Sequence, residues 1–260
     1  MDLLKDIRCF MLDMDGTFYL GERLLPGALD FMDYLQRAGL DYLFLTNNSS
    51  KHASLYAQKI RGMGFDVPAE KIFTSGEATT IYLGKQKPGA RVYLAGTPAL
   101  EEEFRKSGFV LTEEDPDYAV LGFDTGITYD KLWRFCDLVR AGIPYIATHP
   151  DINCPTEDGF MPDIGSFIDL IKASTGRRPD VIIGKPNAHI VNAVVEKTGY
   201  RLEQIAMIGD RLYTDIALGQ AGIKTILVLS GETKREDLVG SEFQPDLIMD
   251  GLGDLAKRMQ

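Results

Sequence analysis

The stretch Ile7-Arg8-Cys9-Phe10-Met11-Leu12, running directly into Asp13-Met14-Asp15-Gly16-Thr17, decides how this chain is read. The first six residues form a short apolar run bounded by a turn signal, the pattern of a buried strand. Working outward, Pro26–Ala38 carries apolar residues at helical spacing, with Pro26 suited to the first turn and Gly39 to the stop. Tyr42–Leu45 is strand-like again, and Ser50–Ile60 reads as a helix closed by Gly62 and Gly64. The rhythm returns near the C-terminus, with strands expected at Val181–Ile183, Ile205–Ile208 and Thr225–Leu229. Helices are expected between them at Ala188–Lys197 and Thr214–Ala221. Such β-α alternation predicts an α/β fold, a parallel sheet with helices on its faces.

The middle is more mixed. Arg91–Ala95, Tyr118–Leu121 and Tyr145–Ala147 are expected strands. Thr97-Pro98 has the N-cap and first-turn pairing of a helix running through Lys106, and Tyr129–Ala141 reads as another helix. Asp158-Gly159, inside Asn153–Pro162, is a hairpin-turn signal. Boundaries are expected near Gly76 and Gly184. There is no internal repeat and no low-complexity segment.

Composition bounds the answer. The chain has 260 residues, 45% of them hydrophobic and 25% charged, enough to bury a core without disulfides. Net charge is −10, so most of the surface would repel a phosphate backbone, and general nucleic-acid binding is disfavoured. Three scattered cysteines, Cys9, Cys136 and Cys154, form no metal-binding pair and suit a reducing compartment. The start, from Met1 and Asp2 onward, shows no signal peptide, and no apolar stretch reaches the ~18 residues that span a bilayer. A cytoplasmic protein without membrane attachment is expected. No G-x-x-x-x-G-K-[ST] loop, G-x-G-x-x-G turn or G-x-S-x-G elbow occurs where such chemistry would need it.

Four segments carry chemistry, each at an expected strand end, where ligands bind in parallel sheets. Asp13 and Asp15 follow the first strand, and Gly16 lets the backbone turn sharply. Thr46-Asn47-Asn48-Ser49 follows the second, offering hydroxyls and amides ahead of a helix. Gly184-Lys185-Pro186 places a lysine between a strand and a helix. Met207-Ile208-Gly209-Asp210 runs from an apolar strand into a carboxylate, and Asp215 follows at the first turn of a helix. Taken singly, these are an acidic turn, an N-cap cluster, a surface lysine and a residue on a helix dipole. Taken together, four carboxylates at one sheet edge would repel each other and any phosphate. A hard divalent cation resolves that conflict, and Mg²⁺ is the usual choice beside phosphates.

In these four segments the sequence resembles the haloacid dehalogenase (HAD) superfamily of aspartate-nucleophile phosphatases. Ala147-Thr148-His149-Pro150-Asp151 and Pro155-Thr156-Glu157 sharpen the likeness to its NagD-type, class IIA branch, which includes p-nitrophenyl and pyridoxal phosphatases. Two departures stand out. Many members of the branch carry asparagine where this chain has His149, and a Gly-rich stretch where it has Asp163-Ile164-Gly165.

The resemblance implies a Mg²⁺-dependent phosphatase of small-molecule phosphomonoesters such as sugar phosphates or nucleotides. Asp13 is the implied nucleophile, forming an aspartyl-phosphate, and Asp15 the general acid/base. The Asp13 carboxylate, the Asp15 backbone carbonyl and Asp210 would hold Mg²⁺, with Asp215 in the outer sphere. Lys185 and Thr46, with Asn47 and Asn48, would meet the phosphoryl group. Residues 1–77 and 184–260 would form the catalytic core, an α/β doubly wound parallel sheet of Rossmann-like kind, and 78–183 an inserted α/β cap that sets specificity. In that cap His149, Asp151 and Asp163–Ser166 are candidates to touch substrate, although His149 and Asp151 also read as residues shaping a loop. The branch suggests a homodimer. A phosphoryl-transferring mutase on the same residues and a non-catalytic phosphometabolite sensor are the alternatives.

Overall fold

The computed structural model describes residues 3–156 and 159–260. Met1, Asp2, Glu157 and Asp158, including the first half of the Asp158-Gly159 turn signal, lie outside the described residues. The chain divides into two compact units, and it changes unit after Thr46, His52, Phe73 and Gly184.

The first unit comprises Met1–Thr46, Ala53–Phe73 and Lys185–Gln260. Its six-stranded sheet has the spatial order Leu247–Met249, Lys224–Val228, Ile205–Gly209, Cys9–Leu12, Asp41–Thr46, Ile72–Thr74. Numbered along the chain within this sheet, that is 6-5-4-1-2-3, the doubly wound order whose direction reverses between the first and fourth strands. Pairing is parallel on both sides of the central Cys9–Leu12 strand. All four of its residues are fully buried, as a strand covered on both faces by helices requires. The helix Ala28–Ala38 presents Ala28, Phe31, Met32 and Leu35 to the core, spaced i, i+3, i+4, i+7. It stops at Gly39, φ +64°, where the Leu40 N–H bonds the Leu35 carbonyl at 2.9 Å. Pro26 precedes the helix rather than opening it, because Gly27 is the cap.

The second unit comprises Asn47–His52 and Thr74–Gly184. Its sheet runs Val181–Ile182, Tyr145–Ala147, Tyr118–Leu121, Arg91–Ala95, Val110–Leu111, with parallel pairing throughout. Leu121, Phe135, Tyr145, Ile168 and Ile171 form its core, and Phe135 meets Tyr145 edge-on at 5.0 Å between ring centres. Asn153–Thr156 and Gly159–Pro162 pair as the expected antiparallel hairpin.

Two expectations change, and a third segment gains its structure. Val181–Ile182 pairs with Tyr145–Ala147 in the second sheet, not with the sheet that carries Asp13. Thr214–Ala221 is not an α-helix but a 3₁₀ helix over Ile216–Ala221. Asp163–Ser166, read as a substrate segment, is the start of the helix Ile164–Thr175, with Asp163 capping it through the Ile164 N–H at 2.6 Å. Among the described residues, no helix is long and apolar enough to cross a membrane.

Candidate active site

The site grows from the reversal point of the first sheet. Leu12 and Ile208 are partners in register on adjacent parallel strands. Asp13 and Asp210 are therefore carried out at the same sheet edge, where a doubly wound sheet opens a crevice. Asp215 comes back to them from the loop ahead of the 3₁₀ helix. Carboxylate oxygens of Asp13, Asp210 and Asp215 all lie within 4.8 Å of one another. Lys185 closes the group, with Nζ donating to Asp13 Oδ1 at 2.5 Å and to Asp215 Oδ1 at 2.6 Å. Lys185 is only 3% exposed, which removes the ordinary reading of a solvated lysine. It enters from the segment leaving the second sheet, so it is not at a strand end of the sheet that bears the aspartates, as the sequence reading has it.

Two glycines make the packing feasible. Gly16 has φ +85°, and a Cβ there would fall 2.4 Å from Asp210 Oδ2. A Cβ on Gly231 would fall 2.0 Å from the same oxygen. That oxygen instead accepts the Glu232 N–H at 2.7 Å, while Thr17 Oγ1 reaches Oδ1 at 3.5 Å. The second oxygen of Asp215 accepts the Arg211 N–H at 3.2 Å.

The electrostatics are those of a crowded anionic pocket. Burial pushes the Asp13 carboxyl upward; the Lys185 ammonium opposes this, and repulsion from Asp215 and Asp210 adds to it. Burial and Asp215 likewise push Asp210 upward against the Glu232 N–H. Burial works against the Lys185 ammonium, but Asp13 and Asp215 outweigh it and hold the charge in place. One lysine among three carboxylates leaves an excess of negative charge on oxygen donors alone. That donor set fits a hard divalent cation, and a zinc-type nitrogen or sulfur set is absent from this group.

Asp15 does not join the three-carboxylate group. It is exposed, and partial desolvation raises its carboxyl against the opposing charges of Lys59 and Arg211. Its backbone bridges to Tyr19, over whose ring Lys59 Nζ sits at 4.2 Å. Thr46 ends the strand beside Cys9–Leu12.

The other expected residues belong to the second unit and are tied to each other there. Asn47 Nδ2 donates to Asp151 Oδ1 at 3.0 Å, and the Asn47 carbonyl accepts the buried Ser75 hydroxyl. Asn48 Oδ1 accepts Ser50 N–H and Oγ at 2.9 and 2.7 Å. His149 is fully buried, with Nε2 2.9 Å from Asp163 Oδ1 and Nδ1 3.1 Å from Thr148 Oγ1. Both ring nitrogens are thus engaged within the second unit. The two departures from the branch pattern, His149 and Asp163, are thus partners.

Sequence reasoning missed Ser230-Gly231-Glu232-Thr233, which follows the strand Lys224–Val228. Ser230 Oγ donates to the Gly16 carbonyl at 2.9 Å, and Thr233 N–H to the Asp210 carbonyl at 3.2 Å. The readable signal was a glycine just past the end of a buried parallel strand.

Known proteins resemble this chain over most of its length. Residues 10–110 match the family described as haloacid dehalogenase-like hydrolase, and residues 182–255 match one described as HAD-hydrolase-like. An acid sugar phosphatase of Staphylococcus aureus is 37% identical over 244 residues, covering 93% of this chain and 94% of that protein. A 4-nitrophenylphosphatase structure from Thermotoga maritima superposes with a TM-score of 0.97 at 50% identity, covering 100% of both chains. NagD from E. coli K-12 superposes with a TM-score of 0.90 at 33% identity, over 95% of this chain and 98% of that one.

Proposed function

The chain belongs to the haloacid dehalogenase-like hydrolases and is a phosphatase of that family, and from this premise we propose that it is a Mg²⁺-dependent hydrolase of small-molecule phosphomonoesters acting through an aspartyl-phosphate on Asp13. One observation carries the reading: Lys185, almost wholly buried, bridges Asp13 and Asp215 beside Asp210. A buried lysine spent on two carboxylates, with a third alongside, is what a site built to handle a transferring phosphoryl group needs.

In the proposed reaction an oxygen of Asp13 attacks phosphorus, and the phosphorus–oxygen bond to the leaving alcohol breaks. Asp15 gives its proton to that oxygen, then takes one from the water that attacks the aspartyl-phosphate. The raised carboxyl of Asp15 suits a group that must hold a proton at the start. Hydrolysis releases phosphate and restores Asp13. Lys185 balances charge at Asp13 throughout, and Thr46 with the Asn47-Asn48 segment would bind phosphoryl oxygens. Asp13, the Asp15 carbonyl and Asp210 would hold Mg²⁺, with Asp215 in the outer sphere. When bound, the ion supplies positive charge against the phosphoryl oxygens. Residues 78–183 would act as a cap selecting the leaving group, with Asp151 a contact there, and sugar phosphates are the first class to test.

The test is phosphate release from a panel of phosphomonoesters with and without Mg²⁺, beside Asp13→Asn. Mg²⁺-dependent release that vanishes in the folded variant is expected. Activity retained in Asp13→Asn would overturn the assignment of the nucleophile.

A further inference from the structure

Glu232 lies outside every expected motif, yet it grips the Asp210–Asp215 loop at three points. Its N–H donates to Asp210 Oδ2 at 2.7 Å. Its carboxylate accepts the Tyr213 hydroxyl at 2.9 Å through Oε1, and Arg211 Nε lies 3.0 Å from Oε2. Arg211 and Tyr213 are the near neighbours of Asp210 in the chain, so the bond to Asp210 itself is bracketed on the C-terminal side by two side-chain anchors. On either side of Glu232, Gly231 brings the main chain against Asp210 and Thr233 bonds the Asp210 carbonyl.

We propose that Glu232 is a positioning residue for the cation-binding carboxylate of Asp210: by holding Arg211 and Tyr213 it keeps the Ser230–Thr233 turn closed on Asp210, which commits Oδ2 to the main chain, so that a metal ion would meet Asp210 through Oδ1, which among the described residues has only the long 3.5 Å contact from Thr17 Oγ1. The inference rests on the Mg²⁺ reading given above. Groups that orient a metal ligand by hydrogen bonding set metal affinity as well as the ligand does. The Glu232 side chain is 48% exposed and that of Arg211 23%, so as an ion pair alone they would contribute little to fold stability. Glu232 has a second effect in the same direction. Arg211 feels the charges of Asp13 and Asp210, and Glu232 occupies it. Released, that guanidinium would compete with the metal for the same carboxylates.

The experiment is Mg²⁺ binding by calorimetry, together with the Mg²⁺ dependence of p-nitrophenyl phosphate hydrolysis, in wild type, Glu232→Ala, Glu232→Gln and Tyr213→Phe. Glu232→Ala is expected to weaken Mg²⁺ binding about tenfold. Saturating Mg²⁺ should restore its maximal rate to within about twofold of wild type, with the thermal midpoint of the metal-free protein unchanged. Glu232→Gln, which still accepts the Tyr213 hydroxyl, should recover part of the affinity, and Tyr213→Phe should lose a smaller part. Unchanged Mg²⁺ affinity in Glu232→Ala overturns the proposal. Should that variant fail to fold, unchanged affinity in both Glu232→Gln and Tyr213→Phe overturns it equally. Wild-type protein that binds no Mg²⁺ would instead bring down the metal reading on which the proposal stands.

Discussion

Gly16 sits where the site has least room to change. Its φ of +85° already disfavours any side chain, and a Cβ would press on Asp210 Oδ2. Gly16→Ala should therefore lower kcat/KM by roughly a hundredfold, because a misplacement near 1 Å at the reacting groups costs about that much. Steady-state kinetics beside a circular dichroism spectrum of unchanged shape would check it; activity within about twofold of wild type would contradict the geometry. At this scale the cluster of Asp13, Asp210, Asp215 and Lys185, with Gly16 against it, was legible in the sequence, since each stands beside a patterned strand or helix, whereas Asp15, read with them, lies outside that cluster. The fate of His149 was not. Whether a histidine faces a ligand or a buried carboxylate depends on a residue 14 positions away, and no local pattern reports that pairing.

Among the elements, the helices Ala28–Ala38 and Leu252–Met259 meet through glycine backbones. A Cβ on Gly27, φ +78°, would lie 2.3 Å from the Cα of Gly253. Gly39, φ +64°, has nothing within 4 Å of the same position. Gly39→Ala should then cost about 1 kcal/mol for its left-handed backbone. Gly27→Ala should cost about 3 kcal/mol, because the helices must also part. Urea unfolding of the two variants separates the terms, and equal losses would contradict the close approach. Elements with a clean stripe or an N-cap and proline pair, such as Ala28–Ala38 and Pro98–Lys106, were readable. Ser75–Gln86 was missed because its buried face is largely small and hydroxylic, Ser75, Gly76, Ala78, Thr79 and Thr80, with no apolar stripe to detect. Its Thr74-x-x-Glu77 start, where the Thr74 hydroxyl accepts the Glu77 N–H at 3.0 Å, was the signal available. The strand before Lys185 was expected in the wrong sheet for a different reason: periodicity identifies a strand but not its partner.

For the molecule as a whole, the anionic pocket ties stability to pH and, on the proposed Mg²⁺ reading, to metal. Asp13 and Asp210 have carboxyls raised in the fold, above an unfolded value near 4. Between the unfolded and folded values the native state holds more protons, so stability falls as pH rises through that window. The thermal midpoint of the metal-free protein should accordingly decline from about pH 5 toward pH 8. Mg²⁺ should raise the midpoint more at pH 8 than at pH 5, since protons compete for the same oxygens. Differential scanning calorimetry across that range decides it, and a Mg²⁺ effect independent of pH would contradict the model of the site. The parallel sheet with helices on its faces was legible from the β-α rhythm alone, whereas its doubly wound character came only with the family resemblance. The membership of the second unit was not, because Asn47–His52 looks in sequence like an ordinary strand-to-helix loop.

That six-residue segment bears on how the fold can be recombined. Ser49 Oγ bonds Thr148 Oγ1 at 2.9 Å and accepts the Phe123 N–H, and the Ser50 carbonyl accepts Thr97 Oγ1 at 2.8 Å. The inserted module is therefore written in two separate passages of the chain. A chimera exchanging only residues 74–184 for those of a relative would strand buried hydroxyls on both sides of the graft, so a transplant built to change substrate preference must carry residues 47–52 with it.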